Sequence, residues 1–299
     1  MGRARWKCGA ARLGKVELML NSAMKCPLCG HEKSHKHGLT SIGSQRYFCT
    51  KCRQSFTDTF DTLYYRRQVS EEDVRIVLQA HAEGSSLRGI GRISGLAYDT
   101  VASIVQSASQ KAQMVHNAEV SSVDTDAIAA DELWSFALKK QKHCFPEELE
   151  VGDCWIAVSL AQLSGLILCA RAGKRNDELA IELARSTEDK TDCQEWHTDG
   201  WGGYERVLSD EVDHYISKAL TQRLERTNGT LRQQTGRWHR RQNKFGKAWE
   251  QTKVTLRLVI SYFNWKERHC CLGTTAAQRA ELTDHPWTWN DIATYPTLL

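Results

Sequence analysis

Trp196-His197-Thr198-Asp199-Gly200-Trp201 and, further on, Thr221-Gln222-Arg223-Leu224-Glu225-Arg226-Thr227-Asn228 with Leu231-Arg232 carry two acidic residues in contrasting local settings. The first segment has the apolar and turn signals of a short buried strand, which would deliver Asp199 to an exposed edge where Gly200, Gly202 and Gly203 let the backbone turn. The second, from Lys218 to about Gln234, is free of proline and places Leu220, Leu224 and Leu231 at helical spacing. Glu225, Asn228 and Arg232 then share one face. His214 to Ser217, between the two segments, has strand length. A strand-end Asp and a helix-borne Glu so arranged can converge on a hard divalent cation, which takes oxygen ligands and binds through few carboxylates plus substrate phosphates. Taken singly, Asp199 is equally an ordinary Asp-Gly turn and Glu225 half of a solvated Glu/Arg face.

A third carboxylate changes that balance. Asp131 lies within Ile128-Ala129-Ala130-Asp131-Glu132-Leu133-Trp134-Ser135-Phe136, which reads as an apolar and aromatic strand. Asp131-Glu132-Leu133-Trp134, Thr198-Asp199-Gly200-Trp201 and Thr221 to Asn228 with Leu231-Arg232, in that order, resemble the three acidic motifs of insertion sequence one family transposases. The likeness covers most of the chain. It implies an RNase H-like catalytic core with an Asp131, Asp199, Glu225 triad holding Mg2+ or Mn2+. Strand alternation turns Glu132 to the face opposite Asp131, so one member of the pair is expected to line the site, and the family match favours Asp131.

With 299 residues the chain can bury a sizeable core but exceeds a typical single domain, so two or three domains are expected. The net charge of +4 is too small to mark a nucleic-acid binder by itself. Basic character is local instead: Lys218 to Lys253 holds ten Lys/Arg against two Glu, interleaved with Trp238, Phe245 and Trp249. Beside a presumed active site, that run suits phosphate binding, although a solvated helix face has the same composition. No signal peptide is apparent, and the longest mainly apolar run, Ile156 to Ala170, falls short of the roughly 20 residues that span a bilayer. A soluble, cytoplasmic, nucleoid-associated protein is expected. Eleven cysteines then point to metal binding or packing before disulfides.

In chain order, residues 1–23 form no clear element, and Met24 is expected to be the natural start. Cys26-x2-Cys29, nineteen intervening residues, then Cys49-x2-Cys52 is the spacing of a structural zinc site with four thiolates. Residues 24–60 lack the core to fold alone, so the metal should supply folding energy. His31, His35 and His37 in the intervening loop are surplus to a tetrahedral ion. The segment resembles the zinc ribbons that many transposases carry at their N-terminus. Cys144, Cys154, Cys169, Cys193, Cys270 and Cys271 show no ligand spacing and read as small apolar residues.

Ser70-Glu71-Glu72-Asp73 has the form of a capping box opening a helix that stops at Gly84. A second short helix from Ser86 should bury Leu87, Ile90 and Ile93 before Gly95, and a third should run from Asp99 to about Lys111. Residues 66–117 thus carry a helix-turn-helix pattern, with a plain helical hairpin as the alternative. Thr100, Ser103, Gln106 and Gln110 would face base edges, and Arg88 and Arg92 would hold phosphates. Ala118 to Thr125 reads as a linker.

Residues 126–272 follow the order strand with acid, hairpin around Gln162-Leu163-Ser164-Gly165, helix from Asn176, strand with acid, helix with acid. That order fits an α/β domain with a mixed central sheet, and the RNase H-like name rests on the resemblance. Phe245 to Arg268 reads as one long amphipathic helix. The tail, 273–299, resembles the end segment of related transposases but announces no chemistry. His197 shares the Asp199 side of its strand and is either a proton-transfer aid or a satisfied structural histidine, while Trp201 either stacks on DNA or packs inside. Arg226 and Arg232 are candidate bidentate phosphate contacts.

The whole describes a transposase that binds double-stranded DNA at terminal inverted repeats and joins it to target DNA, as a homo-oligomer on DNA. A DNA-binding regulator with a lapsed catalytic domain and a nuclease that cuts without joining use the same motifs.

Overall fold

The computed structural model describes residues 24–41, 43–148, 150–238 and 244–297, so the expectation about Met24 and the segment before it falls outside the described residues. Residues up to Phe60 and residues from Asp61 to Thr297 form two compact units.

The first unit is a three-stranded antiparallel sheet: β1 (Ser34–Leu39), β2 (Gln45–Cys49) and β3 (Ser55–Thr57), in that order. Its buried core is Cys26, Cys49 and Phe56, with Tyr47 stacked on Phe56 at 5.6 Å. So little apolar surface cannot offset the entropy of ordering the segment, which leaves the sulfur cluster as its organising centre.

The second unit opens with three helices: α1 (Glu71–Ala82), α2 (Leu87–Ser94) and α3 (Tyr98–Glu119). The capping box is present as read, with Ser70 Oγ accepting from the Asp73 amide and the Asp73 carboxylate accepting from the Ser70 amide. Ile93, expected inside, is 62% exposed. The buried stripe of this short helix runs through Leu87 and Ile90 toward Ser94, and position 93 lies off it. α3 is longer than its reading because no breaker interrupts Ala112, Val115 and His116, all of which are buried. The expected linker is packed as well: Val120 and Val123 are buried, and the Val123 amide donates to the Lys190 carbonyl.

β4 (Ile128–Ala137), β5 (Gly152–Ala161), β6 (Ile167–Gly173), α4 (Asp177–Glu188), β7 (Glu195–Thr198), α5 (Gly202–Val207), β8 (Asp213–Ile216) and α6 (Lys218–Thr235) follow. Their sheet has the order β6-β5-β4-β7-β8, antiparallel among β6, β5 and β4 and parallel among β4, β7 and β8. The expected mixed sheet is therefore present. Its two faces alternate residue by residue. Ile128 and Ala130 of β4 join a core with Leu179, Leu183, Trp196 and Tyr204, while Ala129 and Leu133 join another with Leu224, Leu231, Leu256 and Val259. Helices thus cover both faces of the sheet.

α7 (Trp249–Ser261) is shorter than the predicted helix and gives way to a widened π turn over Tyr262–Lys266. The widening turns Asn264 onto the edge strand β6, where its amide donates to the Ile167 carbonyl and its carbonyl accepts from the Ile167 amide, at 2.9 and 3.0 Å. Asn264 thereby satisfies an edge that would otherwise be open. α8 (Ala276–Arg279) and α9 (Trp289–Thr294) complete the chain. The tail is structural: Trp289 Nε1 donates to Gln79 of α1, the Trp287 amide donates to the Trp265 carbonyl, and Trp265 and Trp287 pack at 4.5 Å. Among the described residues no helix is long and apolar enough to cross a membrane.

His81, in the core of the helical segment, has both ring nitrogens without a hydrogen-bond partner, and burial, helped by the Arg237 charge, pushes its pKa down to about 3. The unfolded chain takes up a proton here near pH 6.5 and the folded chain does not, so stability falls as pH drops from about 6.5 toward 3. His116, pushed down to about 4 by burial, acts in the same direction. Replacing His81 with Leu removes an unpaired buried imidazole. The unfolding free energy from urea titration should rise by about 1 kcal/mol at pH 7 and by roughly 2 kcal/mol more at pH 5. An equal gain at the two pH values would contradict this account of His81.

Candidate active site

β4 brings Asp131 to its middle, and β7 ends at Thr198, which pairs with Ala130. Asp199 is therefore the first residue past the ladder, level with Asp131. Its Oδ1 accepts from the Trp201 amide at 2.9 Å and closes the turn. Gly203 is required here because a Cβ would come within 2.6 Å of the Trp201 ring. Trp201 packs edge-on against Tyr204 at 5.3 Å, which answers in favour of packing the choice the sequence left open.

One carboxylate oxygen from each of Asp131, Glu132 and Asp199 lies within 4.8 Å of the others. The alternation argument holds for the backbone, since Asp131 faces α6 and Glu132 faces the side of Tyr204, but it does not keep Glu132 away. Because β7 stops one residue short, Asp199 belongs to neither face and stands at the strand end between both.

Glu132 is held by Arg175, whose Nε and Nη2 donate to Oε2 at 3.1 and 2.9 Å. The Arg175 guanidinium is fixed over the Trp155 and Trp201 rings at 4.7 and 4.8 Å and reaches Asp199 at 3.8 Å. Burial pushes the Glu132 carboxyl up to about 7, with the Asp199 charge adding and Tyr204 and Arg175 opposing. Burial likewise raises Asp131, aided by the charges of Asp199 and Glu225, while Asn228 opposes by donating to Oδ2 at 2.9 Å.

Glu225 stands outside the three-carboxylate group. It is exposed on α6, one residue past Leu224 and so about 100° around the helix from the buried stripe. Asn228, on that stripe, is the α6 residue that touches Asp131. Arg232 lies half-buried one turn beyond. Arg226 is exposed and lines a cavity of about 330 Å3 with Arg223, Thr230, Arg268 and Arg279. His197 is a satisfied structural histidine: Gln162 Nε2 lies 2.5 Å from Nδ1, and Nε2 lies 2.7 Å from the Glu195 carboxylate.

The basic run divides. Trp238 is 2% exposed and Arg237 is half-buried, its guanidinium engaged with the Thr255 hydroxyl and the Ser85 carbonyl, and Phe245 stacks on Phe136 at 4.9 Å. Trp249, Lys253 and Arg257 instead line a cavity of about 490 Å3 with Arg171 and Lys174. Arg88, Arg92, Gln106 and Gln110 are exposed and Thr100 is half-buried, whereas Ser103 is taken by Arg67, whose Nη2 donates to its hydroxyl at 3.1 Å and its carbonyl at 3.2 Å. Sequence reasoning missed Arg175 and Tyr204. A Lys-Arg pair just before the helix-capping Asn176 was the available signal for the first, and the second had none.

In the N-terminal unit the four thiols of Cys26, Cys29, Cys49 and Cys52 lie within 4.8 Å of one another, with Cys26 to Cys52 at 3.7 Å and Cys29 to Cys49 at 3.6 Å. Zinc–sulfur bonds of about 2.3 Å in a tetrahedron place sulfurs roughly 3.8 Å apart, so the donor set fits zinc. The Cys26 and Cys49 carbonyls each accept from the amide four residues on, Gly30 and Arg53, forming two matching turns that present the pairs. Cys154 and Cys169 are buried apolar thiols as read, but Cys270 and Cys271 are exposed in a turn, which corrects their reading as packing residues.

Residues 128–267 match the family described as IS1 transposase. The chain is 48% identical over 56 residues to the protein InsB of insertion element IS1 2 of Escherichia coli strain K12, a segment that is 19% of this chain and 33% of that protein. It is 47% identical over 55 residues to the insertion element IS1 protein InsB of Shigella flexneri, 18% of this chain and 41% of that one. The chain thus spans about a third to two fifths of the length of the curated relatives it matches.

Proposed function

We propose that the chain is a transposase of the IS1 family, whose model residues 128–267 match, and that it binds the ends of an insertion element and catalyses metal-dependent cleavage and transfer of DNA strands. The observation that carries the proposal is the meeting of Asp131, inside β4, with Asp199, just past the end of the neighbouring strand β7, under the helix that bears Glu225 and Asn228. The oxygen-only donor set, the raised Asp131 carboxyl and the crowding of like charge all suit a hard divalent cation. Asp131, Asp199 and Glu225 would hold Mg2+ or Mn2+, with Glu132 as a close alternative third carboxylate. When bound, such ions supply Lewis-acid stabilisation of the attacking and leaving oxygens in phosphoryl transfer.

The chain's own groups do the positioning. Asn228 fixes the Asp131 oxygen, and Arg175 orients Glu132 while offsetting the Asp199 charge. Arg226 and Arg232 would contact the phosphate backbone beside the site. The helices α1 to α3 would form a helix-turn-helix in which Arg88 and Arg92 hold phosphates and Thr100, Gln106 and Gln110 meet base edges. Ser103, held by Arg67, would act through its neighbours. Residues 24–60 would form a zinc ribbon, 66–117 the DNA-recognition region, 126–272 an RNase H-like catalytic region and 273–299 the tail, working as a homo-oligomer on element ends and target DNA.

The test is a strand-transfer assay with the purified chain, labelled DNA carrying the element's own ends, and Mg2+. Joined product that disappears on chelation is expected. Tight end binding without cutting or joining would overturn the catalytic reading and leave a regulator, and cut ends without joining would leave a nuclease.

A further inference from the structure

We propose that His269, Cys270 and Cys271 form a second thiophilic metal site, apart from the four-cysteine cluster and the carboxylates, which takes a cation such as Zn2+ and leaves one coordination position to solvent. One ring nitrogen and the two thiols lie within 4.8 Å of one another. The Cys270 and Cys271 sulfurs are 3.6 Å apart, the spacing found within the Cys26–Cys52 and Cys29–Cys49 pairs and close to that of two thiolates on one tetrahedral zinc.

The turn that presents them is well defined. The His269 amide donates to the Thr274 carbonyl at 3.0 Å, the Gly273 amide donates back to the His269 carbonyl at 2.8 Å, and Gly273 takes the left-handed φ of +68° that closes the loop. His269 Nδ1 accepts from the Cys271 and Leu272 amides at 3.3 Å each, which aims a ring lone pair into the turn. Contacts that long are weak hydrogen bonds and yield to a stronger Lewis acid. All three side chains are exposed, so an ion can enter.

The turn borders a cavity rich in guanidinium groups. His269 and Cys270 line the 330 Å3 cavity together with Arg223, Arg226, Arg268 and Arg279. Arg223 and Arg279 are tethered there, Arg223 donating to the Gln162 and Leu163 carbonyls and Arg279 to those of Ser164 and Thr274, so the positive field is fixed. Three protein donors with an open fourth position is the pattern of a zinc ion that exchanges ligands, unlike the closed set of the N-terminal cluster. The ion would tie the turn between the π segment and α8, at the wall of a cavity shared with the helix that carries Glu225.

The test counts zinc on the full chain, reduced, loaded with Zn2+ in excess Mg2+ so that carboxylates are filled, and desalted. The Cys270→Ser, Cys271→Ser double variant is expected to hold one zinc fewer than the unaltered chain. Equal counts overturn the proposal. His269→Ala is expected to bind the second ion at least about tenfold more weakly in competition with a chelator, and unchanged affinity overturns the three-ligand site. All three positions are exposed, so the metal-free variants should unfold at the same midpoint as the metal-free parent. The count is independent of transposase activity, and as a difference it is independent of how full the four-cysteine cluster is.

Discussion

Replacing Asp199 with Ala is expected to reduce strand joining by on the order of a thousandfold or more while leaving the affinity for element ends within about twofold, because metal-borne stabilisation of a phosphoryl-transfer transition state is worth several kcal/mol and each 1.36 kcal/mol is a factor of ten. The fold should tolerate the change. Asp199 is partly exposed, its main structural bond is to the Trp201 amide, and its charge raises both Asp131 and Glu132, so removing it relieves repulsion in the buried pair. The measurement is joined product per unit time with matched end-binding isotherms. Persistent joining by the variant would remove Asp199 from the site. The same assay decides the third ligand, which the motif resemblance assigns to Glu225 and the geometry brings close at Glu132. Loss of joining in Glu225→Gln with activity kept in Glu132→Gln supports the motif, and the reverse pattern supports the geometric cluster.

Replacing Cys49 with Ser, or stripping zinc, is expected to unfold residues 24–60 and leave 61–297 folded. Apart from its thiols, the buried core of that unit among the described residues is Phe56, and structural zinc in small segments contributes on the order of 10 kcal/mol or more to folding. Turn amides already favour charge on this residue: although burial opposes it, the Cys52 and Lys51 amides draw the Cys49 thiol down to about 7. Limited proteolysis should cut within 24–60 in the variant while the larger unit stays protected and retains its urea midpoint. Protection of 24–60 without zinc would show that the strands suffice by themselves.

Much of the framework was readable from local chemistry. The Ser70 capping box, the Asn176 and Ser217 helix starts, the hairpin around Gly165 and the strand ending before Asp199 depend on neighbours a few residues away, and each is where its residues place it. Errors arose where a distant partner decided. Ile93 and Leu220 have apolar side chains at helical spacing, yet are 62% and 39% exposed because, among the described residues, no element covers that side of α2 or the start of α6. The long helix predicted from Phe245 to Arg268 is interrupted because Asn264 is drawn to the edge of β6, a strand almost a hundred residues earlier.

The sequence by itself determined the mixed α/β order, the four-cysteine spacing and the positions of Asp131 and Asp199, since strand period, ligand spacing and turn chemistry are properties of contiguous residues. Only the tertiary structure decided which carboxylates meet. Glu132 enters the cluster because β7 stops one residue before Asp199 and leaves both faces of β4 open at that end. Arg175 is held there by two tryptophans from separate elements, and Cys270 and Cys271 are exposed beside His269 because the tail packs through Trp287 and Trp289 and leaves the intervening turn in solvent. Such placements depend on contacts between segments far apart in the chain, which no local pattern encodes.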